Sequence, residues 1–122
     1  MNYIDFHVDT LYRLFYRAED EQGDLCQNNC QVDLARLIGS GYTGQIFACF
    51  LDLAKPPRFG TPYQDVLAMI DLFDRQLAQY GDKVRFASNY AQYEANRRQG
   101  LLSAFLSLEE GGVLDGDLSR LD

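Results

Sequence analysis

Three ionisable side chains stand on alternate positions near the N-terminus: Asp5, His7 and Asp9, in the stretch IDFHVDT. His7 is the single histidine of the 122-residue chain. Carboxylate oxygen and imidazole nitrogen are the donors that suit zinc and similar divalent ions. In a strand, side chains two residues apart point the same way. The spacing therefore predicts Asp5, His7 and Asp9 on one face and Ile4, Phe6 and Val8 on the other. Ionisable groups turned into an interior have to be paired or bound to a metal. A solvated edge strand accounts for the same spacing, and the pattern alone leaves both readings open.

A second alternation, FLSLEEGG, lies about a hundred residues later. Leu106 and Leu108 go one way, and Phe105, Ser107 and Glu109 the other. Glu109 then faces inward beside the small Ser107, and Glu110 points outward or lies in the turn. Gly111 and Gly112 permit a sharp exit. The C-terminal end of a barrel strand is where catalytic groups sit. Two glutamates capping an exposed loop are the plain alternative. Gln45, at the head of another apolar run, is a weaker candidate for a polar contact near a site.

Other patterns carry less. GSGYTG fits a dinucleotide-binding spacing at Gly39, Gly41 and Gly44. That fingerprint needs a strand before it and a helix after it. Here a predicted helix precedes and a strand follows, so the glycines read as a helix stop and turn. Cys26, Cys30 and Cys49 form an odd set without zinc-site spacing and read as free thiols. Asp115 and Asp117 read as a turn and a helix cap.

The elements that must position these residues follow from periodicity. Residues 3–9 alternate as a strand, and TLYRLFYRA follows as a helix or a strand exit. EDEQGDLCQNNC reads as an exposed polar loop. VDLARLIGSG predicts a short helix with Asp33 at its start and Leu34, Leu37 and Ile38 on one face. GQIFACFLDL is an apolar run suited to a strand covered on both faces. YQDVLAMIDLFDRQLAQYG carries a helical stripe of Val66, Leu67, Ile70, Phe73, Leu77 and Tyr80, with Gly81 as its stop. KVRFA predicts a short strand, SNYAQYEANRRQG a helix capped by Ser88 and ended by Gly100, and LLSAFLSLEE a further strand. DGDLSRLD reads as the start of another helix. Strands alternating with helices make an α/β chain with a parallel sheet.

The formal net charge of −7 argues against nucleic acid or an anionic membrane surface as partner. No apolar run reaches the roughly 18 residues of a membrane span. No signal-peptide pattern is present, so a cytoplasmic location is the expectation.

Taken together, IDFHVDT, DLARLIGSGYTGQIFACFLD and LLSAFLSLEEGG resemble, in order and approximate spacing, the membrane dipeptidase (renal dipeptidase) family of zinc peptidases. The resemblance implies a (β/α)₈ metal-dependent hydrolase barrel of TIM type, of which residues 1–122 are the N-terminal part with the first three or so β/α units. It implies two zinc ions at the barrel mouth, with His7 and Asp9 as ligands to one of them. Glu109 matches the carboxylate that bridges both and is the catalytic candidate, with Glu110 as the alternative alignment; Asp5 is a supporting acid behind the ligands. The implied reaction is hydrolysis of a dipeptide by a hydroxide held between the metals, which also polarise the carbonyl.

The family carries further histidine ligands on later strands, and His7 is the only histidine here. About a third of a barrel of ~250 or more residues is present. The expectation is a truncated chain, inactive alone, whose full-length form takes dipeptides and is free to form homo-oligomers. Another metal-dependent amidohydrolase and a non-catalytic small α/β binding domain are the competing functions.

Overall fold

The computed structural model describes residues 2–121. In chain order the elements are β1 (Tyr3–Val8), α1 (Thr10–Tyr16), α2 (Leu34–Gly39), β2 (Tyr42–Cys49), α3 (Pro62–Gln79), β3 (Val84–Phe86), α4 (Tyr90–Arg98) and β4 (Leu102–Leu108), followed by 3₁₀ turns at Gly111–Leu114 and Leu118–Leu121. The four strands form one sheet in the order β1-β2-β4-β3, and every pairing is parallel. This is the α/β architecture that the alternating patterns predict. The last predicted helix is only the second 3₁₀ turn, and Asp122 lies outside the described residues.

The strand order decides where the helices go. From β2 the chain steps outward to β3 and then back to β4. Parallel crossovers are almost always right-handed, so reversing the step puts the second connecting helix on the other face. The contacts agree. On one face Phe47 and Ala104 join Phe73 and Met69 of α3, with Leu11 and Phe15 of α1 and Leu34 and Leu37 of α2. On the other, Asn96 of α4 donates to Ser103 Oγ at 3.1 Å, and the ring of Tyr93 stands 6.4 Å from that of Phe105. Phe47 and Phe73 are fully buried with ring centroids 5.7 Å apart. Each contributes about 1.5–3 kcal/mol by leaving water.

Local signals set most boundaries. Asp33 caps α2 by accepting from the Arg36 backbone N–H at 2.8 Å. Thr61 caps α3, with Pro62 opening the first turn. The α3 stripe is centred on Val66, Met69, Phe73 and Leu77, while Leu67 is 46% exposed. The helix ends at Gln79 with Tyr80 as its cap, not Gly81. Ile38 is likewise exposed, because six-residue α2 presents only Leu34 and Leu37 to the core. In α4 the cap is Asn89, whose side chain accepts from the Gln92 N–H. Ser88 sits one position earlier, and its N–H donates to Gln92 Oε1 at 2.7 Å. GSGYTG is the helix stop and turn expected, with Gly41 at φ +81°, and β2 begins inside it at Tyr42 and ends at Cys49.

The segment between α1 and α2 departs from its predicted exposure. Leu25 is fully buried, and Glu21 and Cys30 are nearly so. The Leu25 backbone N–H donates to Gln76 Oε1 of α3 at 2.9 Å, and Tyr80 donates to the Asp24 carboxylate. One apolar residue with a backbone bond to a neighbouring helix folds this polar stretch down onto the core. All three cysteines are free thiols. Among the described residues no helix is long and apolar enough to cross a membrane.

Candidate metal centre

β1 does not alternate as its sequence suggests. Its register against β2 slips twice. Tyr3 faces Tyr42 and Ile4 faces Gly44, leaving one extra residue on β2; Asp5 faces Gln45 and Val8 faces Phe47, leaving one extra on β1. The two slips cancel, so only the stretch between them is out of phase. Because the period of a strand is two, a one-residue slip moves a side chain to the opposite face.

This corrects the expectation that Asp5, His7 and Asp9 share a face. Asp5 turns toward the helix side, where its Oδ2 accepts from Gln45 Nε2 at 2.9 Å and it lines a cleft with Arg36 and Leu37 of α2. Val8 packs against the core on that side. His7 and Asp9 lie on the other. Ile4 and Phe6, expected against helices, are 39% and 74% exposed.

β4 keeps its alternation. Six consecutive residues of it, Ser103–Leu108, pair with Gly44–Cys49. The Glu109 backbone N–H extends that ladder by donating to the Cys49 carbonyl at 3.2 Å. Glu110 is used elsewhere: its Oε1 accepts from the Gly112 N–H at 2.7 Å and caps the following 3₁₀ turn.

These two strand ends bring together His7, Asp9 and Glu109. One potential ligand atom from each lies within 4.8 Å of the others, and among the described residues no other set of three such side chains does so. His7 Nε2 stands 3.4 Å from Asp9 Oδ1 and 3.5 Å from Glu109 Oε2. Donors at about 2.0–2.2 Å from a shared zinc stand roughly 3–3.5 Å apart, so the spacing fits a single divalent ion. One imidazole nitrogen and two carboxylate oxygens are also a suitable donor set. All three side chains are open to solvent, which leaves room for further ligands.

A cavity of about 380 Å³ opens beside them, lined by His7, Asp9, Thr10, Arg13, Cys30 and Gln31. The Arg13 guanidinium is engaged by the nearly buried Glu21 carboxylate, so the nearest cation already has a partner. The sequence reading missed Arg13, Cys30 and Gln31 as neighbours of the site. Cys30 and Gln31 are brought there by the folding down of the α1–α2 segment, which no local pattern signals, whereas Arg13 is carried by α1 one turn after Asp9. Cys49, one residue pair before Glu109 along the ladder, is buried, and burial pushes its thiol up to about 11.

A parallel sheet with converging carboxylate and imidazole groups at its strand C-termini has the layout of the (β/α)₈ barrel enzymes, whose sites lie at that end. The chain belongs to the membrane dipeptidase family, peptidase family M19, whose family model matches residues 1–122. Among solved structures it is similar to dipeptidase AC, described as a metallo peptidase of family M19, with a TM-score of 0.69 and 21% sequence identity. That match covers 99% of this chain and 39% of the dipeptidase, so the fold here corresponds to part of a barrel. No curated protein matches the chain in sequence.

Proposed function

We propose that His7, Asp9 and Glu109 are ligands of a divalent metal centre, zinc in the first instance, that serves a dipeptide-hydrolysing enzyme. The observation that carries this reading is the meeting of the sole histidine with Asp9 and Glu109, from strand ends about a hundred residues apart, within 4.8 Å. Family membership and the similarity to a dipeptidase support the reaction class. When bound, the metal supplies Lewis acidity, which activates water near neutral pH and polarises a carbonyl.

The protein's own groups have distinct roles in this reading. Glu109, with its backbone fixed by the ladder, would be the carboxylate shared between ions in a two-metal site. His7 and Asp9 would be ligands to one of them. Glu110 is a structural cap, because its carboxylate is engaged by the Gly112 N–H. Three protein donors suffice for one ion and not for two. The 122 residues alone are therefore proposed to bind one ion and to leave dipeptides intact.

Titration calorimetry with zinc tests this. One site is expected in the native chain. Its affinity falls at least about tenfold in His7→Ala, Asp9→Ala and Glu109→Ala, and survives in Glu110→Ala, on the scale of losses seen for metal-site residues. Native binding that is absent, or unchanged in His7→Ala and Glu109→Ala, overturns the assignment. Hydrolysis of dipeptides by the 122-residue chain would show that its own donors are enough.

A further inference from the structure

Arg13 shares the cavity beside the candidate metal ligands with His7, Asp9, Thr10, Cys30 and Gln31. Among the described residues that line it, Arg13 is the one permanent cation. α1 carries it there: the Arg13 N–H donates to the Asp9 carbonyl at 3.2 Å, one helical turn back. A long side chain on an open helix face ordinarily keeps much rotamer freedom. This one is tethered. Its Nε lies against Glu21 Oε1, and the Glu21 side chain is only 7% exposed. Glu21 Oε2 accepts from the Ala18 N–H at 3.0 Å. Glu21 Oε1 has no hydrogen-bond partner, so the Arg13 cation is its compensation. A buried carboxylate left without its cation is strongly unfavourable, and Glu21 therefore holds the guanidinium in place.

A guanidinium presents five N–H donors in a rigid planar fork. Glu21 stands on the Nε side. Nη1 and Nη2 make no hydrogen bond to a described residue, and about half of the Arg13 side chain is open to solvent. Two parallel N–H groups of this kind match the two oxygens of a carboxylate. The cavity, at about 380 Å³, is of small-ligand size. We propose that Arg13 is a carboxylate-binding residue of this cavity: a peptide whose carbonyl lies at the metal sets its terminal carboxylate on Arg13 Nη1 and Nη2. Substrates with a free C-terminal carboxylate are thereby favoured over amidated ones. That orientation rests on the metal-centre reading, whereas the guanidinium and its tether do not.

Because His7 is the only histidine, its imidazole gives one unambiguous ¹³C–¹H cross-peak on the wall of the same cavity. The test titrates N-acetylglycine and N-acetylglycinamide into the zinc-loaded 122-residue chain and follows that cross-peak. The two probes share an amide carbonyl and differ in the carboxylate. The native chain is expected to bind the acid at least about tenfold more tightly, on the scale of a charge-assisted hydrogen-bonded pair. In Arg13→Gln the preference falls to within about twofold, with zinc affinity and amide binding unchanged. Should Arg13→Gln fail to fold because Glu21 is left unpaired, Arg13→Lys decides. It returns a cation to Glu21 but has no second edge to offer, and it is expected to lose the preference too. A native chain without the preference overturns the proposal. So does a folded variant that keeps it, since the carboxylate then sits on the metal. A native chain that binds no zinc overturns the metal reading, and the same comparison in the metal-free chain then decides the role of Arg13.

Discussion

β1 and β4 each end in a candidate ligand, yet they are held in different ways. β4 is flanked by β2 along six residue pairs and by β3 along three, without a slip. β1 has one neighbour and loses register twice against it. Alternation is a property of a single strand, whereas register is enforced by neighbours. A strand with partners on both sides cannot slip without breaking two ladders. An edge strand can, and irregularities of this kind concentrate at edges and next to functional sites. The contrast means that Glu109 is placed by a strand fixed on both sides, while His7 stands in the irregular stretch of an edge strand, just before the Val8–Phe47 pair.

Phe47 belongs to both halves of this comparison. It faces Val8 of β1 and Leu106 of β4 and is completely buried against Phe73. Phe47→Ala is expected to cost about 3–5 kcal/mol, measured by urea denaturation. That is a large share of the roughly 5–15 kcal/mol of a typical domain, and both ladders should fail together. A cost below about 1 kcal/mol would mean that β1 is anchored by something other than the Val8–Phe47 pair.

The same contrast explains what could be read from sequence. The helical stripe of α3, the Asp33 cap, the turn at Gly41 and the inward Glu109 were legible because each depends on contacts local in sequence or on a doubly flanked strand. Strand alternation also favoured Glu109 over Glu110; in the structure Glu110 is engaged in capping and Glu109 stands beside His7. The opposite orientation of Asp5 was not legible. It goes with a contact to Gln45, forty residues away, whose side-chain amide donates to the Asp5 carboxylate. Nor was the descent of the α1–α2 segment onto the core, which hangs on Leu25 meeting Gln76. Both failures involve one buried residue whose contact is distant in sequence.

Within the doubly flanked ladder, Cys49 offers a pH test. Its thiol is pushed up to about 11 by burial, against about 8.5 in an unfolded chain. The folded state thus holds this proton more tightly. Its contribution is fully present below about pH 8.5 and is lost as pH rises through about 11. The expected loss is of order 3 kcal/mol. It is read as the difference in urea stability between the native chain and Cys49→Ala across that window, so that other alkaline titrations cancel. Equal pH slopes in the two proteins would show that the ladder opens easily around Cys49.

The smallest effect is expected at the edge. Phe6 is 74% exposed and sits in the slipped stretch of β1, where the ladder gives it no partner. Exposed substitutions away from caps, networks and special backbone usually stay within about 0.5 kcal/mol. Phe6→Ser should therefore leave the denaturation midpoint nearly unchanged. A marked destabilisation would mean that the Phe6 ring is buried by a contact in solution, and β1 would then have a second neighbour. The difference between the strands would in that case lie in the strength of their partners and not in their number.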